Sequence, residues 1–304
     1  SDMQSRQLGK GGPEVSAIGL GAWPIGGGLG HVEEGKGIAI VRAAIDNGIT
    51  LVDTAQGYRT SEETLGKALK DGYRERCFLA TKVSGNYSRG GIEQAIEDSL
   101  RKLDVDYVDL YQIHGWNPEY PIEESMAAMA QLQEQGKARF IGVSNFNAIQ
   151  MEQAYATSPF HSNQPRYHML DRGIEPEDIP CCERMGIGIL AHSTLGKGLL
   201  TGRYRAGHQF PEDDERSGFP RFQGETFARY CVLAEGLGEV AGDKGVSLVQ
   251  LAIAWVLRLP TMTCALVGAK SVSQVEEHVA EVTLTEDELE RIEAILAEVP
   301  AYES

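Results

Sequence analysis

Eight short apolar segments, each followed by a stretch with helical spacing, recur along this chain and restrict its fold more than any other feature. They are SAIGLG (16–21), ITLVD (49–53), CFLATK (77–82), YVDLYQIH (107–114), RFIGVS (139–144), HSNQ (161–164), GIGILAH (186–192) and TCALVG (263–268). Short runs enriched in β-branched and aromatic residues read as buried strands. The stretches between them are IAIVRAAIDNG, SEETLGKALKDG, GIEQAIEDSLRKL, IEESMAAMAQLQEQG, AIQMEQAYA, PEDIPCCERM and VSLVQLAIAWVLRL. These are amphipathic, and several close on Gly, the residue that a helix C-terminus takes in its left-handed position. Strand–helix alternation implies a parallel sheet covered by helices. Eight such units in about 250 residues is the size of a closed (β/α)8 TIM barrel, with a doubly wound sheet as the alternative.

The flanks add detail. Residues Gln7 to Leu20, turning at GKGGP, carry the signals of an N-terminal β-hairpin. The eighth crossover holds an extra helical stretch, ETFARYCVLAEGLGEVAGDKG, and a further C-terminal helix opens at a capping box, Thr285 to Glu288. No linker or composition shift divides residues 1–304, which read as one domain. One long segment, GRYRAGHQFPEDDERSGFPRFQG (202–224), has the Gly, Pro and mixed charge of a stretch that does not pack as an element. Leaving the end of the seventh strand, it reads equally as a lid over a ligand or as disorder.

Charge and composition exclude several classes of function. The 28 basic against 44 acidic residues give a net charge of −16, whose field repels nucleic acid and anionic membranes alike. Any bound anion must be caught locally. Part of the excess lies in EVTLTEDELERIEAILAEVPAYES (281–304), which reads as a solvated helix face. No apolar run reaches the ~20 residues needed to span a bilayer, and the opening SDMQSRQLGKGG has no signal-peptide core. Ser1 and Asp2 ahead of Met3 read as a remnant of cloning. Cys77, Cys181, Cys182, Cys231 and Cys264 are scattered without metal or redox spacing, as expected of reduced thiols in a cytoplasmic protein.

Four polar residues stand at or just past predicted strand ends: Asp53 and Tyr58 after ITLVD, Lys82 in CFLATK and His114 in YVDLYQIH. Singly they read as a turn residue, a half-buried aromatic, a surface amine and a structural histidine. A barrel, however, opens all its strand C-termini onto one face, where the active sites of this architecture sit. Together the four outline a proton-donor site. A tyrosine titrates near pH ~10, so donation near neutrality calls for a cation that lowers its pKa. Lys82 supplies the cation, Asp53 holds it, and His114 orients and polarises a substrate carbonyl.

Beyond these four, the chain resembles the aldo-keto reductases from Arg6 to Thr285, on VDTAQGYRTSEETLGKAL, FLATKVS, LDVDYVDLYQIHGW, GKARFIGVSNF, SNQPRY, STLGKGLLTG and VGAKSVSQVEEH. The resemblance implies reversible hydride transfer between a nicotinamide and a small-molecule carbonyl, with Asp53, Tyr58, Lys82 and His114 as the catalytic tetrad. It implies NADPH as cofactor, NADH being possible. Gly21, Ala22, Trp23 and Asp53 would border it. Ser144, Asn145 and Gln164 would hold the carboxamide, with His192 beneath the ring. Ser193, Leu195, Gly196, Lys197, Gly198 and Arg203 would take the pyrophosphate. Lys270 and Ser271 would take the 2′-phosphate, with Gly268 and Gln274 bordering the cofactor beside them and Glu277 and His278 near the adenine; Ser271 and Gln274 also read as a capping box. Trp23, Tyr58, His114 and Trp116 would face the substrate.

Departures from the family pattern stand at three positions. His192 replaces a stacking aromatic, stacks less area and is expected to charge in mild acid. Gln274 replaces an arginine that would pair with the 2′-phosphate. His278 replaces an asparagine and has no assigned role. The match of GLGEVA (236–241) to a dinucleotide fingerprint is dismissed because it follows a helical pattern, where it reads as a helix interruption. No metal site, Walker loop or nucleophile elbow is legible. Two rivals remain. A Schiff-base lysine is disfavoured by Asp53, which would keep Lys82 charged. A non-catalytic cofactor-binding sensor or interaction subunit would use the same scaffold. The substrate and the oligomeric state are unassigned.

Overall fold

The computed structural model describes residues 3–298; Ser1 and Asp2, read as a cloning remnant, and the last residues of the acidic C-terminal stretch lie outside the described residues. The chain starts with a hairpin, β1 (Ser5–Gln7) antiparallel to β2 (Glu14–Ser16). The barrel strands follow as β3 (Ile18–Gly21), β4 (Leu51–Asp53), β5 (Phe78–Val83), β6 (Val108–Ile113), β7 (Ala138–Ser144), β8 (Ser162–Gln164), β9 (Gly188–Ala191) and β10 (Met262–Gly268). Neighbours pair in parallel around the ring, and β10 pairs with both β9 and β3. That last pairing closes the barrel and removes the doubly wound alternative.

The crossovers are α1 (Glu34–Asp46), α2 (Ser61–Ala68), α3 (Arg89–Leu103), α4 (Ile122–Glu134), α5 (Ala148–Thr157) and α6 (Asp178–Met185), then α7 (Gly224–Lys244) and α8 (Leu248–Leu257) before β10. After it come α9 (Val272–His278) and α10 (Glu286–Leu296), the latter opened by the expected Thr285–Glu288 capping box. Among the described residues no single helix is long and apolar enough to cross a membrane.

Strand pleating carries the barrel's inner face directly into its upper rim. Side chains two residues apart share a face, and Leu51, Ala80, Leu110, Leu190 and Leu266 pack together inside the barrel with Phe78 and Cys264. One step further along the same strands stand Asp53, Lys82, Gln112, His192 and Gly268. The apolar filling thus gives way to polar groups at the C-terminal end. At the other end the hairpin acts as a plug. Leu8 and Val15 are buried in this same cluster, and Arg6 fastens the hairpin by donating to the carbonyls of Leu257 at 2.9 Å and Met262 at 2.7 Å.

Two expectations about irregular segments are corrected. GLGEVA does not interrupt a helix: residues 236–241 run through the middle of α7, which is continuous from Gly224 to Lys244. The cost of about 1 kcal/mol for a helical glycine is offset by a buried face of Phe227, Tyr230, Leu233, Leu237 and Val240. Residues 202–224 do pack, as two 3₁₀ turns, Glu215–Gly218 and Pro220–Phe222. Arg216 anchors them. Its guanidinium is buried against Asp214 at 2.6 Å, donates to the Lys197 carbonyl at 2.8 Å and lies 4.4 Å over the Phe210 ring. Leu29 forms an antiparallel bridge to Asp214, so this strap joins the β9 and β3 loops above the end of β10.

Candidate active site

Lys82 is fully buried, and each of its three N–H donors has a partner. Nζ donates to Asp53 Oδ2 at 2.5 Å, to the Thr54 carbonyl at 3.2 Å and to Tyr58 Oη at 3.1 Å. Asp53 is equally satisfied, accepting from Gln112 Nε2 at 2.9 Å and Gln164 Nε2 at 3.0 Å on its other oxygen. Burial alone would pull the Lys82 ammonium down, yet Asp53 and Tyr58 outweigh it and hold its pKa above the ordinary value. Such a pair is costly to assemble away from water and costly to break.

Tyr58 departs from expectation. Its pKa is raised, because burial outweighs the opposing pull of Lys82, with Asp53 adding to the rise. The phenol therefore keeps its proton across the neutral range. Since Oη already accepts from Lys82, its own O–H points in another direction. His114 lies edge-on to Tyr58 at 5.6 Å between ring centroids. Burial, then Lys82, push its pKa down to about 4, so the imidazole is neutral at pH 7. Nδ1 of His114 lies 2.7 Å from Ser84 Oγ.

A second network ties the β7, β8 and β9 ends together. Both N–H groups of the Gln164 amide are engaged, by Asp53 and by Gln112 Oε1 at 2.9 Å, so this side chain has only its carbonyl left to offer. Asn145 Oδ1 accepts from His192 Nε2 at 2.8 Å, while His192 Nδ1 lies 2.9 Å from Ser193 Oγ. Asn145 Oδ1 is an acceptor only, so the proton sits on Nε2 and Nδ1 accepts from the serine. Burial first, then Lys82 and Arg166, hold His192 well below the usual histidine range. This runs against the expectation that it charges in mild acid: the half-buried ring loses hydration and has Lys82, Arg166 and Lys197 as neighbouring cations.

These groups line one cleft of about 700 Å³ at the C-terminal end of the barrel, within the range of cofactor sites. Gly21, Trp23, Asp53, Tyr58, His114, Asn145, Gln164 and His192 border its inner half. Ser193, Leu195, Gly196, Lys197, Gly198, Arg203, Gly268, Lys270, Gln274 and His278 border the rest. Three non-glycine residues on this lining have left-handed backbones, Asn145 (φ 58°), Ser193 (φ 60°) and Lys197 (φ 55°), and such strain concentrates where loops hold ligands. Gly196 and Gly198 share the left-handed region at φ 58° and 100°, giving a tight backbone cradle flanked by Lys197. Hydroxyl, amide and ammonium donors together with this glycine cradle fit a planar carboxamide and a diphosphate.

Other candidates stand back from the cleft. Ala22 is buried, and Ser144 is buried with its hydroxyl donating to the Gln164 carbonyl at 2.9 Å. Trp116 packs edge-on against Phe146 beside a smaller cavity. Ser271 and Glu277 lie on α9 outside the lining. Ser271 caps α9 by accepting from the Gln274 N–H at 3.2 Å, but the capping box is incomplete, because Gln274 Oε1 accepts from the Lys270 N–H at 2.8 Å instead of that of Ser271. Lys270 donates to the Leu29 carbonyl, and burial, then Arg216, lower its pKa. His278 is buried and held to about 4, by burial and then Arg203.

Several contributing residues carried no weight in the sequence reading. Gln112 supports Asp53, and Ser84 meets His114. Glu215 of the strap accepts from Trp23 Nε1 at 2.9 Å and pairs with Lys197 at 2.5 Å. Gln112 and Ser84 had a signal in strand parity, two residues from His114 and Lys82 respectively. Glu215 had none. Among the described residues no three His, Cys, Asp or Glu side chains are grouped as metal ligands would be.

Comparison with known proteins agrees with this fold. Residues 17–297 match the model of the Aldo/keto reductase family. The aldo-keto reductase YhdN of Bacillus subtilis is 40% identical over 279 residues, covering 87% of this chain and 84% of its own. The glycerol dehydrogenase AKR11B4 of Gluconobacter oxydans superposes over 100% of both chains with a TM-score of 0.87 and 32% identity. An aldo/keto reductase of Klebsiella pneumoniae solved with NADP and acetate superposes over 96% of this chain and 95% of its own, with a TM-score of 0.77 and 29% identity.

Proposed function

The chain belongs to the aldo/keto reductase family, an NAD(P)H-dependent oxidoreductase family acting on carbonyl and alcohol groups, and on that premise we propose that it reduces an aldehyde or ketone with NADPH, Tyr58 delivering the proton. The observation that carries this reading is the set of three bonds from Lys82 to Asp53, Thr54 and Tyr58. When bound, the nicotinamide supplies the hydride. Tyr58 keeps its proton at neutral pH, and the buried ammonium of Lys82, 3.1 Å from Oη, stabilises the phenolate left once the proton has gone to the substrate oxygen. Asp53 keeps that ammonium charged and fixed. His114, neutral, offers the same oxygen a hydrogen bond without competing as an acid.

The remaining cleft residues are assigned by what each has left to offer. Gln164 can only accept, through Oε1, while Asn145 would donate by giving up one of its two long bonds, to the His114 carbonyl and to Ser144 Oγ, both at 3.3 Å, and a carboxamide needs one of each. Lys197 and Arg203 suit a pyrophosphate and Lys270 a 2′-phosphate, with Ser271 next to it at the cap of α9, just outside the lining. Gln274 adds no charge there, so the preference for NADPH over NADH is modest. Trp23 supplies an apolar wall for the carbonyl compound, its ring 5.1 Å from that of Tyr58. The test is a panel of aldehydes and ketones with NADPH and with NADH, followed as loss of reduced-cofactor absorbance. A protein that binds cofactor tightly but turns over no carbonyl would favour the sensor reading.

A further inference from the structure

We propose that Ser84 is a positioning residue for His114, holding the imidazole in the tautomer that carries its proton on Nε2. The catalytic consequence rests on the reading of His114 as hydrogen-bond donor to the carbonyl oxygen; the tautomer itself does not.

The protons around Ser84 Oγ decide the tautomer. A serine oxygen donates one hydrogen bond and accepts two. Ser84 Oγ accepts from the Gly57 N–H at 3.1 Å and lies 2.7 Å from His114 Nδ1, and among the described residues it has no third partner. If Nδ1 carried the proton, Oγ would accept from two N–H groups and its own hydrogen would have no protein acceptor. If Oγ donates to a bare Nδ1, every group is satisfied. A neutral imidazole accepting at Nδ1 must hold its hydrogen on Nε2, the nitrogen that then acts as donor.

The surroundings fix the serine. Its N–H donates to Gln56 Oε1 at 3.0 Å, and Gly57 admits the close approach, since a Cβ there would stand 3.1 Å from Oγ. Strand parity supplies the rest. Lys82 and Ser84 are two residues apart, so the end of β5 directs one side chain to the tyrosine and the next to the histidine.

The tautomer is read by ¹⁵N NMR of histidine-labelled, cofactor-free protein, with His114→Gln giving the assignment. The wild type should show a bare Nδ1 and a protonated Nε2. Ser84→Ala should give a mixture of tautomers, with both nitrogens at intermediate shifts, and Ser84→Thr should restore the wild-type pattern. In turnover Ser84→Ala should lower kcat/KM for the carbonyl about three- to tenfold, the worth of one neutral hydrogen bond, with the Kd for NADPH unchanged and Thr recovering the loss. A wild-type imidazole protonated on Nδ1, or a Ser84→Ala spectrum identical to the wild type, would overturn the proposal. Because the spectra need neither cofactor nor substrate, they decide it even if no carbonyl is reduced.

Discussion

Replacing Lys82 by Met separates what the buried ion pair does for stability from what it does for catalysis. Lys82 and Asp53 are 0% and 2% exposed, so the substitution strands a carboxylate where water cannot reach it. Breaking such a pair from one side costs about 3–5 kcal/mol. The bonds from Gln112 and Gln164 to the other carboxylate oxygen survive and place the effect toward the lower end. Removing the second charge as well, in Asp53→Asn/Lys82→Met, should recover most of the loss, because the asparagine carbonyl still accepts from both glutamines. Urea unfolding followed by tryptophan fluorescence measures both, and the double-mutant cycle gives the coupling. Activity should not follow stability: both variants lack the cation beside Tyr58 and should lose at least about 10²-fold in kcat. A single variant within about 1 kcal/mol of wild type, or a double variant no more stable than the single one, would refute a buried and mutually dependent pair.

Four further outcomes are expected. Tyr58→Phe removes one proton and keeps the ring, so carbonyl reduction should fall by at least about 10²-fold with cofactor affinity nearly unchanged in a fluorescence titration; a variant keeping most of its kcat would exclude Tyr58 as the acid. His278 is 3% exposed and its folded pKa lies near 4, below the unfolded value of 6.5, so the stability it contributes is present above pH 6.5 and lost as pH falls toward 4; urea midpoints of wild type and His278→Gln should diverge over that window by up to about 3 kcal/mol against the wild type, and a constant difference would refute it. Lys270→Ala should raise KM for NADPH far more than for NADH, and Gln274→Arg should raise the NADPH/NADH ratio of kcat/KM about ten- to hundredfold through a charge-assisted bond; equal effects on both cofactors would move these residues away from the 2′-phosphate.

Strand parity was the most legible feature of the chain. In CFLATKVS the residues Phe78, Ala80, Lys82 and Ser84 share one face, and the sequence alone shows that face turning from apolar to polar at the strand end. The same parity in YVDLYQIH points to Gln112, two residues before His114, although it sits within an otherwise largely apolar run. Closure of the barrel is legible only through the count of eight strand–helix units and the family resemblance, not through any local pattern. It depends on β10 pairing with β3, Ala265 opposite Ile18, across most of the chain, and no local pattern encodes whether a row of parallel strands meets itself or stays open.

Signs and partners that depend on burial were equally hidden. The order of residues shows that a cation stands near Tyr58, but the direction of its pKa is set by the competition between that charge and loss of water, and burial wins. In residues 202–224 composition reads as irregular, which is correct for the backbone and misleading for the packing, because Arg216, Phe210 and Asp214 are held through contacts with no period along the chain. The Ser271–Gln274 pair shows the limit at the scale of one turn. Spacing predicts a reciprocal box, and Ser271 Oγ does accept from the Gln274 N–H at 3.2 Å, yet Gln274 Oε1 reaches the N–H of Lys270 at 2.8 Å, one residue short of the cap. That bond stiffens the backbone of the lysine expected to meet the phosphate. An arginine at 274 would forfeit that bond and loosen a lysine that favours NADPH, so a rise in the NADPH/NADH ratio reads the new charge net of this loss and is a lower bound on it.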